Sequence, residues 1–399
     1  MQSSTPLDLS TPDIIANPYP VYRELRECSP LPYIRLRAGS VPGTDQPMMS
    51  WALLRHADVI AAVKDPDTFS SQVASLFTVM PHIPLLQDDP PRHTRMRRLV
   101  AKAFTPKRVI ELEPWVAELT RSLLDSMGSG SAEVMSGLCI PLPVIVIATM
   151  LGVPKELHGR FRTWSNAFIG YSSDIPPEER AAGRRELSAC LTQLIAERRR
   201  ERGRDDLISA LVDVEVDGET LNDAEIELLI TLLIIAGNDT TTGLLGNMLN
   251  VLAHRPELWQ HAREDRSLVD PIIEETLRYE SPIQRMIRRT TRDTELSGAL
   301  IPAGQLVDVF FGAANRDPAS FEAPDEFRLG RPAREHVAFG QGIHYCIGAS
   351  LGRLEARTAL NQLLDRFETL SPATELPERQ RVAVAMFAYQ RLPLLLGAA

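Results

Sequence analysis

The run NDAEIELLITLLIIAGNDTTTGLLGNMLNVLAHRP, residues 222–256, limits this chain more than any other. Asn222 and Glu225 have the spacing of a capping box and Pro256 supplies a stop, so a helix is predicted over 223–254. At 1.5 Å per residue it is about 48 Å long, enough to cross a whole domain. Its first half is apolar on nearly every side, so it has to be buried. Halfway along, AGNDTT (236–241) breaks the pattern. Asn238, Asp239 and three consecutive threonines are costly inside such an element unless they have partners or work to do. Asp239 and Thr240 form an acid–alcohol pair able to relay protons, and Ala236 and Gly237 are small enough for something bulky to approach. The plainer alternative is a helix kink with threonines bonded back to carbonyls.

A buried helix of that length needs a large core, and a chain of 399 residues with 44% apolar and 24% charged residues can supply one. Further helical patterns fall at 56–65, 92–104, 111–127, 141–151, 155–170, 178–202 and 268–280. Residues 32–37 and 48–54 read as paired strands, and DTELSGALIPAGQLVDVFF as short strands with Gly and Pro turns. Residues 70–90 form a long connection with little periodicity, as a lid or pocket wall does. No repeat or linker interrupts the chain, which reads as one domain, 1–399, mainly α with small β-sheets.

Net charge of −9 argues against nucleic-acid binding. Cys28, Cys139, Cys190 and Cys346 are dispersed without a CxxC pair, which points to a reducing compartment and away from a disulfide framework or structural zinc. The N-terminus lacks the pattern of a signal peptide. The longest apolar stretches, 228–237 and 140–152, fall short of the ~20 residues that cross a bilayer, and the second contains two prolines. A soluble, cytoplasmic protein with no membrane contact is expected.

The chemistry concentrates in FGQGIHYCIG, residues 339–348. An irregular glycine-rich loop there runs into the helical pattern ASLGRLEARTALNQLLDRF. A helix N-terminus carries partial positive charge and favours thiolate over thiol at Cys346. Gly340, Gly342 and Gly348 let backbone approach the sulfur and any flat ligand above it, and Phe339 can shield the sulfur from water. On the residues alone, a buried inert cysteine beside a turn remains open.

This loop resembles the haem-binding loop of the cytochrome P450 family, FxxGxxxCxG, with Phe339, Gly342, Cys346 and Gly348 in every specified position. AGNDTT likewise resembles the family's A-G-x-D-T. The resemblance covers nearly the whole chain and implies the cytochrome P450 fold, with haem b between the long central helix and the helix after the Cys loop. It implies that Cys346 is the axial thiolate ligand, which favours O–O cleavage. It also implies that Ala236, Gly237 and Thr240 line the oxygen side, with Thr240 and Asp239 handling oxygen and protons. His344 is then a propionate donor, although alone it reads as a solvated histidine.

The motif EETLR places Glu275 and Arg278 three apart on one helical face, by default a surface ion pair. Similarity to the family's ExxR implies instead a buried structural network with Arg331. PPRHTRMRRLVAKAFTPKR (90–108) holds seven Lys or Arg residues and no acid. His93 and Arg97 share one helical face, and Arg95, Arg98 and Lys102 another. The resemblance assigns His93, Arg97 and Arg288 to the haem propionates, and leaves the second basic face to dock an acidic electron donor. Gly352 departs from the alanine commoner in related bacterial enzymes.

The implied function is monooxygenation of a hydrophobic small molecule by O2, most simply hydroxylation, with electrons from a ferredoxin-type donor. Candidate pocket residues are Phe77, Ile83, Leu85, Leu232, Ala236, Gln284, Met286 and Phe387, each equally readable as core. A peroxide-driven haem-thiolate enzyme, against which the Asp239–Thr240 pair speaks, and a non-enzymatic haem or small-molecule binder are the other classes.

Overall fold

A computed structural model describes residues 7–36, 47–73, 82–166, 176–331 and 335–398. Its contacts separate two compact units, Met1–His82 with Glu274–Cys346 and Arg379–Phe387, and Ile83–Ile273 with Ile347–Glu378 and Ala388–Ala399.

The first unit is built on a mixed five-stranded sheet. Leu31–Leu36 pairs antiparallel with Met48–Leu53, which runs parallel to Leu306–Val309; Met286–Thr290 and the short Phe69–Ser70 complete the sheet. Leu53, Val307 and Val309, packed with the helix His56–Lys64 through Val59, Ala62 and Val63, form one apolar core. Tyr19, Tyr22, Tyr33, Phe310 and Phe387 form another. Between strands, the fully buried Asp308 accepts from Tyr33 Oη at 2.7 Å, Ser50 Oγ at 2.7 Å and Arg35 Nε at 3.0 Å. A carboxylate so surrounded is satisfied, which a lone buried charge never is.

The second unit is helical. The long helix spans Asp223–Ala253, and both halves of its capping box are made, Glu225 N to Asn222 Oδ1 at 2.9 Å and Asn222 N to Glu225 Oε2 at 3.0 Å. By length and composition it could cross a bilayer, which the shorter apolar run inside it did not suggest, yet 67% of its apolar window is buried inside the protein. That is the behaviour of a core helix. Helices Arg92–Ala103, Glu113–Met127, Pro141–Met150, Pro177–Arg200 and Ala349–Arg366 belong to the same unit. Pro141 opens Pro141–Met150 at the first position, where its missing N–H leaves no bond unmade. A π-helical turn, Met135–Cys139, precedes it. A three-stranded antiparallel sheet, Gly130–Glu133, Pro393–Ala398 and Phe367–Pro372, closes the unit.

Predicted and observed boundaries differ by a residue or two at most elements. The pattern at 155–170 resolves into a 3₁₀ turn, Lys155–Leu157, and a helix, His158–Asn166; 167–170 lie outside the described residues. The short helices Tyr19–Arg26 and Leu207–Asp213 lie outside the predicted segments.

Candidate active site

In the first unit, the segment carrying Cys346 is held by its own backbone. Gly340 N donates to Val337 O at 2.9 Å, Tyr345 N to Gly342 O at 3.2 Å, and Cys346 N to Phe339 O at 2.9 Å. Gly342 has φ +67°, and a Cβ there would lie 2.6 Å from the carbonyl oxygen of Val63. Neither the torsion nor the space admits a side chain. The result is a closed loop with the Cys346 side chain exposed at its end. Three residues on, the helix Ala349–Arg366 begins behind Gly348, with no side chain capping its first N–H groups.

Tethers from the same unit fix the approach to this loop. Asn315 Oδ1 accepts from Val337 N at 2.7 Å, while Asn315 Nδ2 donates to Ser281 Oγ at 2.7 Å. His336 Nδ1 accepts from Ala338 N at 3.2 Å, which turns Nε2 to Glu274 Oε2 at 3.1 Å. His344 Nε2 meets Ser71 Oγ at 2.9 Å. Apart from His336 and Ala338, these partners lie far apart in sequence and carry no local signal.

Glu275, Arg278 and Arg331 come together in this unit. Arg278 is 2% exposed, and each of its N–H groups finds an acceptor. Nε donates to Glu275 Oε2 at 2.8 Å, Nη2 to Glu275 Oε1 at 2.7 Å and Glu326 O at 2.8 Å, and Nη1 to Asn315 O at 3.0 Å and Pro324 O at 2.8 Å. Glu275 Oε1 also accepts from Arg328 N at 2.8 Å and Arg331 Nε at 3.2 Å. The pair is buried and multiply bonded, so the weak surface ion pair that spacing alone suggests does not describe it. Arg288, also buried, lies on the strand Met286–Thr290, its Nη1 donating to Ile287 O at 2.7 Å.

In the second unit, the polar turn of the long helix distributes its hydroxyls in three directions. Thr240 Oγ1 donates to Ala236 O at 2.6 Å, the back-bonded arrangement, and Thr242 Oγ1 donates to Cys139 O at 3.0 Å. Thr241 bonds Glu355 on the helix Ala349–Arg366. Asn238 and Asp239 are buried. Ala236 is exposed in the middle of an otherwise buried helix, whereas a Cβ on Gly237 would stand 3.1 Å from Ile147 Cδ1. The bulky neighbour at Gly237 is thus the helix Pro141–Met150, and the open face is at Ala236.

His93, 2% exposed, and Arg97 sit one turn apart on the helix Arg92–Ala103. The other basic face of that helix is already engaged. Arg95 bonds Glu225 Oε1 at 3.0 Å, Glu219 Oε2 at 3.2 Å and Thr220 O at 2.8 Å; Arg98 pairs with Asp217; Lys102 Nζ reaches Glu215 O at 2.7 Å. Together they bind the segment 215–225 that feeds the long helix.

Glu355 was not singled out by its sequence position. It is 1% exposed, and burial, partly offset by Thr241, raises its carboxyl pKa from 4.5 to about 8. The signal was there: an acid between Leu354 and Ala356 on the inward face of a helix, where Leu351 and Thr358 are also buried.

Of the pocket candidates, Phe77 lies outside the described residues. Leu232 and Leu85 are buried and Ile83 half-buried. Met286 packs against the sheet core. Gln284 and Phe387 are filled core positions: the Gln284 amide donates to Ser281 O at 2.7 Å and Tyr19 Oη at 3.3 Å, and Phe387 packs edge-on against Tyr19 at 5.3 Å.

Among the described residues, no group of three or more His, Cys, Asp or Glu side chains is arranged to hold a metal ion. A single exposed thiol on a rigid loop fits a metal that arrives with other ligands already in place, as in a macrocycle.

The family model described as Cytochrome P450 matches residues 177–396. The chain is 38% identical to erythromycin C-12 hydroxylase of Saccharopolyspora erythraea, across 87% of this chain and 89% of that one. The structure of cytochrome P450 CYP109Q5 from Chondromyces apiculatus superimposes with a TM-score of 0.89 at 36% identity, covering 98% of both chains. That of CYP109E1 from Bacillus megaterium in complex with corticosterone gives 0.85 at 31% identity, covering 97% of this chain and all of the other.

Two outcomes follow for stability. Arg278→Lys keeps the charge but cannot fill five acceptors, and is expected to destabilise by about 3 kcal/mol or more, read as a fall in thermal midpoint. For Glu355, the folded chain keeps a proton that the unfolded chain loses above its ordinary value of 4.5, so its contribution to stability falls as pH rises toward about 8 and is level beyond. Glu355→Gln should remove that slope; parallel stability–pH curves for the two proteins would contradict the burial argument.

Proposed function

The chain belongs to the cytochrome P450 family of haem b monooxygenases, and we propose that residues 1–399 act as one catalytic domain in which Cys346 is the thiolate ligand of the iron. The observation that carries this reading is the closed loop Phe339–Cys346, which holds one cysteine outward on backbone that Gly342 alone can supply. When bound, haem supplies oxygen activation: with two electrons and two protons, one atom of O2 enters the substrate and the other leaves as water.

The remaining work falls to this chain's own side chains. His93, Arg97, Arg288 and His344 supply donors and positive charge for the haem propionates. Ala236, Gly237, Phe339, Gly340 and Gly348 give it room. Asp239 and Thr240 hold and pass protons at their side-chain oxygens. Glu275, Arg278 and Arg331 keep the Cys346 loop in place without touching the chemistry.

The substrate in this reading is a hydrophobic small molecule, and hydroxylation is the reaction. Relatives that carry erythromycin in their name or corticosterone in their structure support a macrolide- or steroid-sized apolar compound. Leu232 and Ala236, with Ile83 and Leu85, are the side chains assigned to it. Gln284 and Phe387, already committed to core contacts, are weaker claims on that role. Electrons come from a ferredoxin-type donor in the bacterial cytoplasm.

The reduced, carbon-monoxide-treated protein should show the shifted absorption band of haem-thiolate ligation, and Cys346→Ser should abolish it. Retention of the band in that variant would end this assignment. Charge reversal at Arg98 and Lys102 should lower ferredoxin-supported turnover several-fold while peroxide-supported turnover holds. Equal loss in both assays would confine these residues to their bonds with Asp217 and Glu215.

A further inference from the structure

The first unit buries a second guanidinium, and this one is left incomplete. Arg285, just before the strand Met286–Thr290, is 2% exposed, as Arg278 is. Arg278 finds an acceptor for every donor, whereas Arg285 finds one. Its Nη1 donates to Tyr33 Oη at 2.9 Å, while Nε and Nη2 are buried without a hydrogen-bond partner. Those two nitrogens share one edge of the guanidinium, the fork by which arginine holds anions. The rings of Tyr33 and Phe310 have their centroids 5.5 Å and 5.3 Å from its central carbon. Aromatic faces attract the cation, but they do not replace the acceptor that a buried N–H requires.

The charge is as incomplete as the bonding. Tyr33 Oη donates to Asp308 Oδ2 at 2.7 Å, and Asp308 is already paired with Arg35 Nε at 3.0 Å. Two guanidiniums thus share one carboxylate. Neither neighbouring phenol supplies a second negative charge, because burial pushes the pKa of both Tyr22 and Tyr33 well above the ordinary 10.0. Among the described residues Arg285 forms no ion pair. A water would meet its donors and leave its charge uncompensated. An anion meets both, and the low dielectric of an aromatic surround strengthens the attraction.

We propose that the Nε–Nη2 edge of Arg285 binds one small monovalent anion, chloride in the cell, in a buried site beside Tyr33 and Phe310. The ion accepts from both nitrogens and brings the cluster of Arg285, Asp308 and Arg35 to neutrality. Arg35, whose side chain is 14% exposed, is the most exposed of the three and gives the ion its route from solvent. Tyr33 belongs to the strand Leu31–Leu36, Phe310 follows Leu306–Val309 and Arg285 precedes Met286–Thr290, so an ion among them fastens three strands of one sheet. The site uses no part of the haem reaction and stands apart from the proposed function.

Thermal midpoints of the full-length holoenzyme, read as bromide replaces chloride-free gluconate at constant ionic strength, provide the test. Bromide is the probe because it resembles chloride and scatters X-rays anomalously, whereas gluconate is too bulky to be enclosed. Above saturation, each tenfold rise in bromide should raise the midpoint by roughly 1–2 °C. Arg285→Met is close in volume and uncharged, so it should fold and show no such slope. Crystals of the parent protein grown in bromide should carry an anomalous peak within hydrogen-bonding reach of Nε and Nη2, a result that needs no variant. Equal midpoints in the two salts, a bromide slope that persists in Arg285→Met, or water alone at that edge in the crystal would each overturn the proposal. The reduced carbon-monoxide band, recorded in both salts, judges the haem-thiolate reading separately.

Discussion

A guanidinium carries five N–H donors in one plane and no acceptor, so burying it demands five correctly placed oxygens. Arg278 has them: two on Glu275, and the carbonyls of Asn315, Pro324 and Glu326. Three of the five are main-chain atoms from separate bends of one irregular stretch. A single side chain therefore specifies the course of backbone that has no ladder or helix of its own. Asn315 extends the order, because its side chain takes the N–H of Val337, and from Val337 to Cys346 the loop closes on its own hydrogen bonds. The exposed cysteine sits at the end of that sequence of constraints.

The long helix solves a different problem. Its apolar surface is a burial requirement, yet its middle turn holds five consecutive polar residues. The structure gives the threonines separate directions: Thr240 bonds back to its own helix, Thr241 goes to Glu355 and Thr242 to the carbonyl of Cys139. Thr241 and Thr242 are thereby tied to neighbours, and Thr240, beside the open face at Ala236, has only a local bond to give up. Adjacent, chemically identical residues come to differ in availability through packing alone.

Much of this could be read from the chain beforehand, and the limit is physical. The capping box at Asn222 and Glu225, the paired strands near Tyr33 and Trp51, and the Cys346 loop ahead of a helix depend on neighbours within a few residues. Glu275 and Arg278 are also close in sequence, but their burial is not, and only resemblance brought in Arg331. The contact of Ser71 with His344 spans 273 positions and has no local trace. Glu355 is the instructive omission. Its neighbours marked it as inward-facing, but a lone acid on a helix is usually a solvated one. The pocket candidates show the converse, since Phe387 and Gln284 have the right chemistry for a ligand and are filled by Tyr19.

The cations of the helix Arg92–Ala103 divide the molecule by its sensitivity to ions in the medium. Arg98 is 46% exposed and its partner Asp217 79%, whereas Arg278 and Glu275 are 2% and 5% exposed. Counterions reach the first pair and not the second, and at physiological ionic strength they damp exposed charges beyond about 8 Å. Added salt would thus slacken the strap at 215–225 ahead of the long helix while the Glu275–Arg278 pair held. The salinity of the surroundings thereby becomes a setting for how tightly one end of the long helix is fastened.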